Sequence, residues 1–157
     1  MPIKYDRILF CTDFSDDADY ALLTALEMAK RYQARLYVLH VVHSAYPKVS
    51  DGVNESGKDG EETINTPEII EKGKEKLIEL YESKMGELSN PIEFQVVLGV
   101  PFVEIVRFAR AQNINFIVLG AAGSSNIERI TFGSTAENVA RRAHCTVMIT
   151  RNPERVF

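Results

Sequence analysis

No apolar run in this chain approaches the ~20 residues that a membrane-spanning helix needs. The opening stretch "MPIKYDRILF" has neither the long apolar region nor the small-residue cleavage site of a secretory signal, so the expected compartment is the cytoplasm. Cysteine is scarce. Only Cys11 and Cys145 are present, each inside an apolar, strand-like run, which excludes a disulfide framework and reads as two buried thiols in a reducing compartment. Positive charge is not in surplus either. A net charge of -4 argues against general nucleic-acid binding, which draws on a basic surface to neutralise phosphates. Internal repeats, low-complexity tracts and a G-x-S-x-G nucleophile elbow are likewise missing, which leaves hydrolase chemistry of the triad type without a foothold.

The charge that is present is unevenly spread. Residues 1–100 carry 11 basic and 18 acidic side chains, whereas residues 101–157 carry 7 arginines against 4 glutamates. A small anion should therefore prefer the last third. With 157 residues and 45% apolar content, the chain is long enough to form one domain over residues 1–157 with a sizeable buried core.

Strand-like and helix-like segments alternate. "RILFCT" reads as a buried strand, and "DFSDD" after it as a helix start, with Ser15 as N-cap and Asp16 and Asp17 in the first turn against the helix dipole. Ala18, Ala21, Leu22, Ala25 and Ala29 recur at helical spacing, and such small residues let a helix lie close on a sheet. "ARLYVLHVV", "IEFQVVLG", "NFIVLG" and "CTVMIT" supply four more strands. Helices are expected after Thr66, over "PFVEIVRFARAQ", and from Ser134 to Ala143. Strands alternating with helices imply an open α/β fold, a doubly wound five-stranded parallel sheet with helices on both faces, in one of a few topologies. The segment from His43 to Thr66 breaks the rhythm: it is polar, contains glycine, and at 24 residues is far longer than a usual connection. It reads as a mobile lid or as a tolerated, disordered insertion.

Two candidate motifs fail on chemistry. "GVNESGKD" approaches the phosphate-loop pattern, but Asp59 stands where the metal-binding hydroxyl belongs and acidic "DGEE" follows where a helix should begin. His40 and His43, three apart on an extended strand, point to opposite faces and do not form a metal pair.

"GAAGSSNIERITFGST" fares better. Gly120 ends a strand, Gly123 and Gly133 follow, and Ser134 and Thr135 open the next helix. Glycines allow close approach by a ligand, and amides at a helix start favour phosphate without a lysine. Arg129 could assist, and Mg²⁺ carried by the phosphates could offset their charge. The competing reading is an ordinary strand-to-helix turn with Ser134 as N-cap. If the winding reverses between the first and fourth strands, Asp13 faces the same crevice, as acceptor for a ribose hydroxyl or a base amine, or else serves as a turn carboxylate.

These residues resemble the universal stress protein family over essentially the whole chain. The likeness is carried by "ILFCTDFSDDADYAL", "LYVLHVV", "VVLGVPFVEIVRFA" and "FIVLGAAGSSNIERITFGSTAENVARRAHCTVMI". Gly120, Gly123, Gly133 and Ser134 match the family's G-x-x-G-x₉-G-[ST] pattern without a gap. The resemblance implies a 3-2-1-4-5 strand order and, for the branch that keeps this pattern, binding of ATP, with ADP or AMP as related ligands. Asp13 and the Val41 backbone would hold the adenosine, and Gly120, Gly123, Gly133, Ser134 and Thr135 would surround the phosphates. Thr12, Ala121 and Ser124 complete the candidate set. It also implies a homodimer through the last strand, Thr146 to Thr150, whose β-branched, uncharged sequence suits pairing with a second copy. The chain departs from the family at Ala122, where histidine is frequent, at Ser124, where a basic or small residue is common, and at Asn115, where aspartate is frequent. Hydrolysis dependent on the missing side chain would be lost. The expected function is a cytoplasmic, ATP-binding stress-response regulator that acts on an unidentified protein partner. The alternatives are a slow ATPase or adenylate-transfer enzyme, and a nucleotide-independent interaction module.

Overall fold

The computed structural model describes residues 3–44, 66–86, 88–121 and 133–154. Its strands are β1 (Arg7–Cys11), β2 (Arg35–His43), β3 (Ile92–Gly99), β4 (Phe116–Gly120) and β5 (Thr146–Thr150). The helices are α1 (Asp16–Tyr32), α2 (Thr66–Met85), α3 (Pro101–Ala111) and α4 (Ser134–Arg142). All strand pairs are parallel, in the order β3-β2-β1-β4-β5. Continuous apolar runs in the three inner strands suit this arrangement, because helices cover both faces of the sheet.

Strand alternation divides the core in two. Phe10, Val38 and Val118 face α1 and α2, meeting Leu22, Ala25, Leu77 and Tyr81. Leu9, Leu39 and Ile117 face α3 and α4, meeting Ile105, Ala109, Ala136 and Val139. The alanine stripe of α1 is buried along its length, at Ala18, Ala21, Ala25 and Ala29. Ser15 caps that helix from an extended conformation, its Oγ accepting the Ala18 N–H at 3.3 Å, a contact worth about 1 kcal/mol. Three aspartates in the first turn and Lys30 and Arg31 in the last complement the dipole.

Asp17 does more than the sequence pattern expects. It is fully buried, its Oδ1 accepts the Asn152 N–H at 3.0 Å, and its carbonyl accepts from the Thr150 hydroxyl at 3.4 Å. The first turn of α1 is thereby stitched to the chain leaving β5.

Some element ends differ from expectation. β1 stops at Cys11, so Thr12 lies beyond the strand. Gly133, not Ser134, is the N-cap of α4, and Ser134 is its first helical residue. Cys145 precedes β5 and is only partly buried, unlike Cys11; both are free thiols. His43 closes β2 and Thr66 opens α2, while residues 45–65 of the long insertion, including "GVNESGKD", lie outside the described residues. Among the described residues no helix is long and apolar enough to cross a membrane.

Candidate functional site

β1, β2 and β4 end on one edge of the sheet and the chain leaves them for different faces. After β1 it turns to α1; after β4 it reaches α4 on the opposite side. Strand ends that part in this way open a crevice at the point where the winding reverses. A cleft of about 470 Å³ lies there, within the ~300–1,000 Å³ usual for small-molecule sites.

The cleft has two characters. One part is apolar, formed by Leu39, Val41 and Leu119 from the strands and by Pro101 and Ile105 from α3. The other is the start of α4, where Gly133, Ser134 and Thr135 line the wall. Backbone N–H groups in a first helical turn have no carbonyl one turn back to accept them, and with the dipole they favour an anion. No side chain caps this helix: Gly133 holds an extended conformation with φ -60° and ψ 158°.

The geometry sorts the expected site residues. Thr12, Asp13, Val41, Gly120, Ala121, Gly133, Ser134 and Thr135 all line the cleft. Gly123 and Ser124, with Ala122 and Arg129, lie outside the described residues. Not every backbone donor faces a ligand. The Gly133 N–H donates to the Ala121 carbonyl at 2.7 Å, and the Ala121 N–H donates to the Thr150 carbonyl at 2.8 Å. Both amides hold the chain's own frame.

Gly120 has a physical reason other than ligand approach. A Cβ there would lie 2.8 Å from the carbonyl carbon and Cβ of Asp17 and 3.0 Å from the Ala18 nitrogen. The missing side chain lets the first turn of α1 rest on the end of β4.

Thr12 contributes shape to the cleft, with its polar groups turned to the protein. Its hydroxyl shares a 2.6 Å hydrogen bond with the Tyr81 hydroxyl and accepts the Phe14 N–H at 3.0 Å, while its own N–H donates to the Leu39 carbonyl at 3.0 Å. Burial pushes the Tyr81 phenol up to about 12, the bond from Thr12 acting in the opposite direction. Asp13 is exposed, and its Oδ1 accepts the Ser15 N–H at 3.0 Å. A carboxylate has further lone pairs for a hydroxyl or amine. Between them Phe14 adopts a left-handed φ of 65°, a conformation costly for a bulky side chain. Packing of its ring holds it there, 4.5 Å from the His40 ring, 6.1 Å from that of Tyr81, and 4.2 Å beneath Lys76 Nζ.

Val41 takes part through its backbone. Alternate residues of a strand direct their polar groups to the same neighbour. In β2 the Arg35 N–H donates to the Asp6 carbonyl and the Leu39 carbonyl accepts from Thr12, so odd-numbered residues face β1. The Leu36 N–H donates to Pro91 and the Ser44 N–H to Gly99, so even-numbered residues face β3. Val41 belongs to the first set, and β1 has ended beside it. Its N–H and carbonyl therefore face the crevice.

Pro101, Ile105, His40 and His43 are among the lining residues that the expected site set leaves out. Their signal was the topology, since the start of α3 and the end of β2 close one side of the crevice in a 3-2-1-4-5 sheet. The histidines fall on opposite faces of β2 by alternation, and among the described residues no group of three or more His, Cys, Asp or Glu side chains could hold a metal ion. The His40 Nδ1–H donates to the Thr12 carbonyl at 2.8 Å, leaving Nε2 as the unprotonated nitrogen of the neutral ring. Burial holds its pKa below the ordinary value, with Lys76 adding to the effect and the bond to Thr12 and the charge of Asp13 opposing it.

Residues 4–151 match the Universal stress protein family. The chain belongs to that family. It is similar to universal stress protein MJ0531 of Methanocaldococcus jannaschii, with 31% identity covering 96% of this chain and 85% of that protein. Among solved structures it resembles universal stress protein UspA from Lactobacillus plantarum, at 28% identity and a TM-score of 0.75, covering 96% of this chain and all of that one. A universal stress protein in complex with cAMP shares the fold at 22% identity and a TM-score of 0.65, covering 94% of this chain and 98% of its own.

Proposed function

We propose that the protein is an adenine-nucleotide-binding regulator of the universal stress protein family, cytoplasmic and homodimeric. One observation carries the reading: a single cleft joins an apolar wall with the open backbone edge of Val41 to the amide-rich start of α4. The apolar part suits a base, Asp13 a ribose hydroxyl or base amine, and the helix start a phosphate. ATP is the expected ligand, with ADP and AMP sharing its adenosine contacts. The described residues bring no cluster of metal ligands to the cleft, so a Mg²⁺ ion would take its ligands from the phosphates and water. Asp13 is the only carboxylate among the described lining residues and already accepts the Ser15 amide, which favours binding and signalling over turnover. A protein of the same fold holds cAMP.

As a regulator the protein needs a difference in affinity between two conformations, one of which a partner protein recognises. The dimer would form along β5, which stands at the sheet edge with Val147, Met148 and Ile149 only partly buried. Titration calorimetry with ATP, ADP and AMP tests the nucleotide reading, and mass spectrometry of small molecules released from freshly purified protein gives an independent check. No uptake of any adenine nucleotide at millimolar concentration would end it.

A further inference from the structure

The β1–β2 ladder stops one rung early. Its last bond runs from the Thr12 N–H to the Leu39 carbonyl, and continuing the parallel pattern would bring the Val41 N–H to the Thr12 carbonyl. Among the described residues that bond is not made. The Thr12 carbonyl instead accepts from His40 Nδ1–H at 2.8 Å, a side chain of the same strand standing in for the missing rung. The imidazole is fixed from both sides of the bond: its ring packs on Phe14 at 4.5 Å, and Thr12 is anchored through its hydroxyl to Tyr81 at 2.6 Å.

We propose that His40 is a positioning residue that occupies the Thr12 carbonyl, so that the Val41 N–H stays unpaired on the cleft wall and, with the Val41 carbonyl beside it, can read an adjacent donor and acceptor on a purine edge. Val41 as a residue is only 9% exposed and lines the cleft, so a ligand seated there can pair with its backbone N–H and carbonyl. An exocyclic amine beside a ring nitrogen, as in adenine, offers the complementary pair. A 6-oxo purine reverses that donor and acceptor order. The His40 imidazole is then responsible for base selectivity without touching the base. The consequence for selectivity rests on the nucleotide reading above; the competition between His40 and Val41 for one carbonyl does not.

Amide hydrogen exchange followed by NMR separates the two. In the ligand-free native protein the Val41 amide is expected to exchange far faster than the ladder amides of Val38 and Leu39, and to become protected when AMP is added. His40→Leu removes the donor, so Val41 should close onto Thr12 and exchange at least about tenfold more slowly without ligand, while AMP binding weakens about tenfold, the loss of roughly one hydrogen bond. The preference for AMP over inosine monophosphate should collapse with it. His40→Asn keeps a side-chain N–H and should behave as the native protein in all three measurements. A Val41 amide already protected in the ligand-free native protein overturns the proposal without any variant, as do equal effects of the leucine and asparagine substitutions. If the native protein binds no adenine nucleotide, the nucleotide reading fails and the exchange comparison still decides the role of His40.

Discussion

Replacing Gly120 with alanine adds one methyl group at the point where α1 meets β4. The new Cβ would stand 2.8 Å from two Asp17 atoms and 3.0 Å from the Ala18 nitrogen, and two of these three contacts are backbone. Side chains can rotate out of a clash, but the first turn of α1 can only move as a unit. That unit is tethered at both ends of the contact, by the Ser15 cap on Ala18 and by the bonds from Asp17 to Thr150 and Asn152. Overpacking of a rigid core costs about 1–3 kcal/mol, and the upper part of that range is expected here. With a urea dependence of about 2 kcal/mol per molar, a loss of 2 kcal/mol lowers the unfolding midpoint by about 1 M. Urea titration followed by circular dichroism measures this, and the slope should stay constant. A ligand-driven need for glycine predicts the reverse pattern: native stability with nucleotide affinity alone reduced. That result would refute the packing account of Gly120.

Thr12→Val should cost about 1–3 kcal/mol, because it leaves the buried Tyr81 hydroxyl without its Thr12 hydrogen-bond partner and the Phe14 amide without its acceptor; a double-mutant cycle with Tyr81→Phe should show strong coupling. The raised Tyr81 pKa has a definite sign. Below pH 10, the ordinary phenol value, the contribution is complete; above it the unfolded chain ionises first, so stability falls as pH rises toward about 12. Tyr81→Phe should flatten that fall in denaturation curves compared with the native protein. At the sheet edge, the Thr150 carbonyl faces β4, so the polar groups of Val147 and Ile149 face outward. Val147→Pro removes an outward N–H while sparing the inner ladder, and sedimentation velocity is expected to show a dimer for the native protein and monomers for the variant.

Much of this molecule was legible in local pattern. The runs "ILFC", "LYVL" and "FIVL" are strands because they are apolar throughout, and the alanine stripe and Ser15 cap mark α1 in the same direct way. The placement of Asp13, Val41 and Thr135 at one cleft followed from strand ends and a family pattern. Pro101, Ile105 and the histidines were not legible, because their local sequence carries no sign of a cleft; they enter it through the pairing of β2 with β1 and the return of α3 over the sheet. Thr12 shows the converse. A hydroxyl at a strand end near a glycine-rich sequence suggests a ligand contact, and only the approach of α2 turns it to Tyr81.

The amino-acid order by itself determined the element types, the two-sided burial of the sheet and the sign of charge near the helix ends, since propensity, periodicity and capping act over a few residues. Which backbone groups remain open was settled by tertiary structure alone. The amides of Ala121 and Gly133 are used by the frame, while the edge of Val41 is left facing the cleft because β1 turns away one residue early and His40 takes the carbonyl it would have met. His40 and its neighbour Val41 compete there for an acceptor 28 positions from His40, and distance along the chain conceals that competition until the strands are side by side.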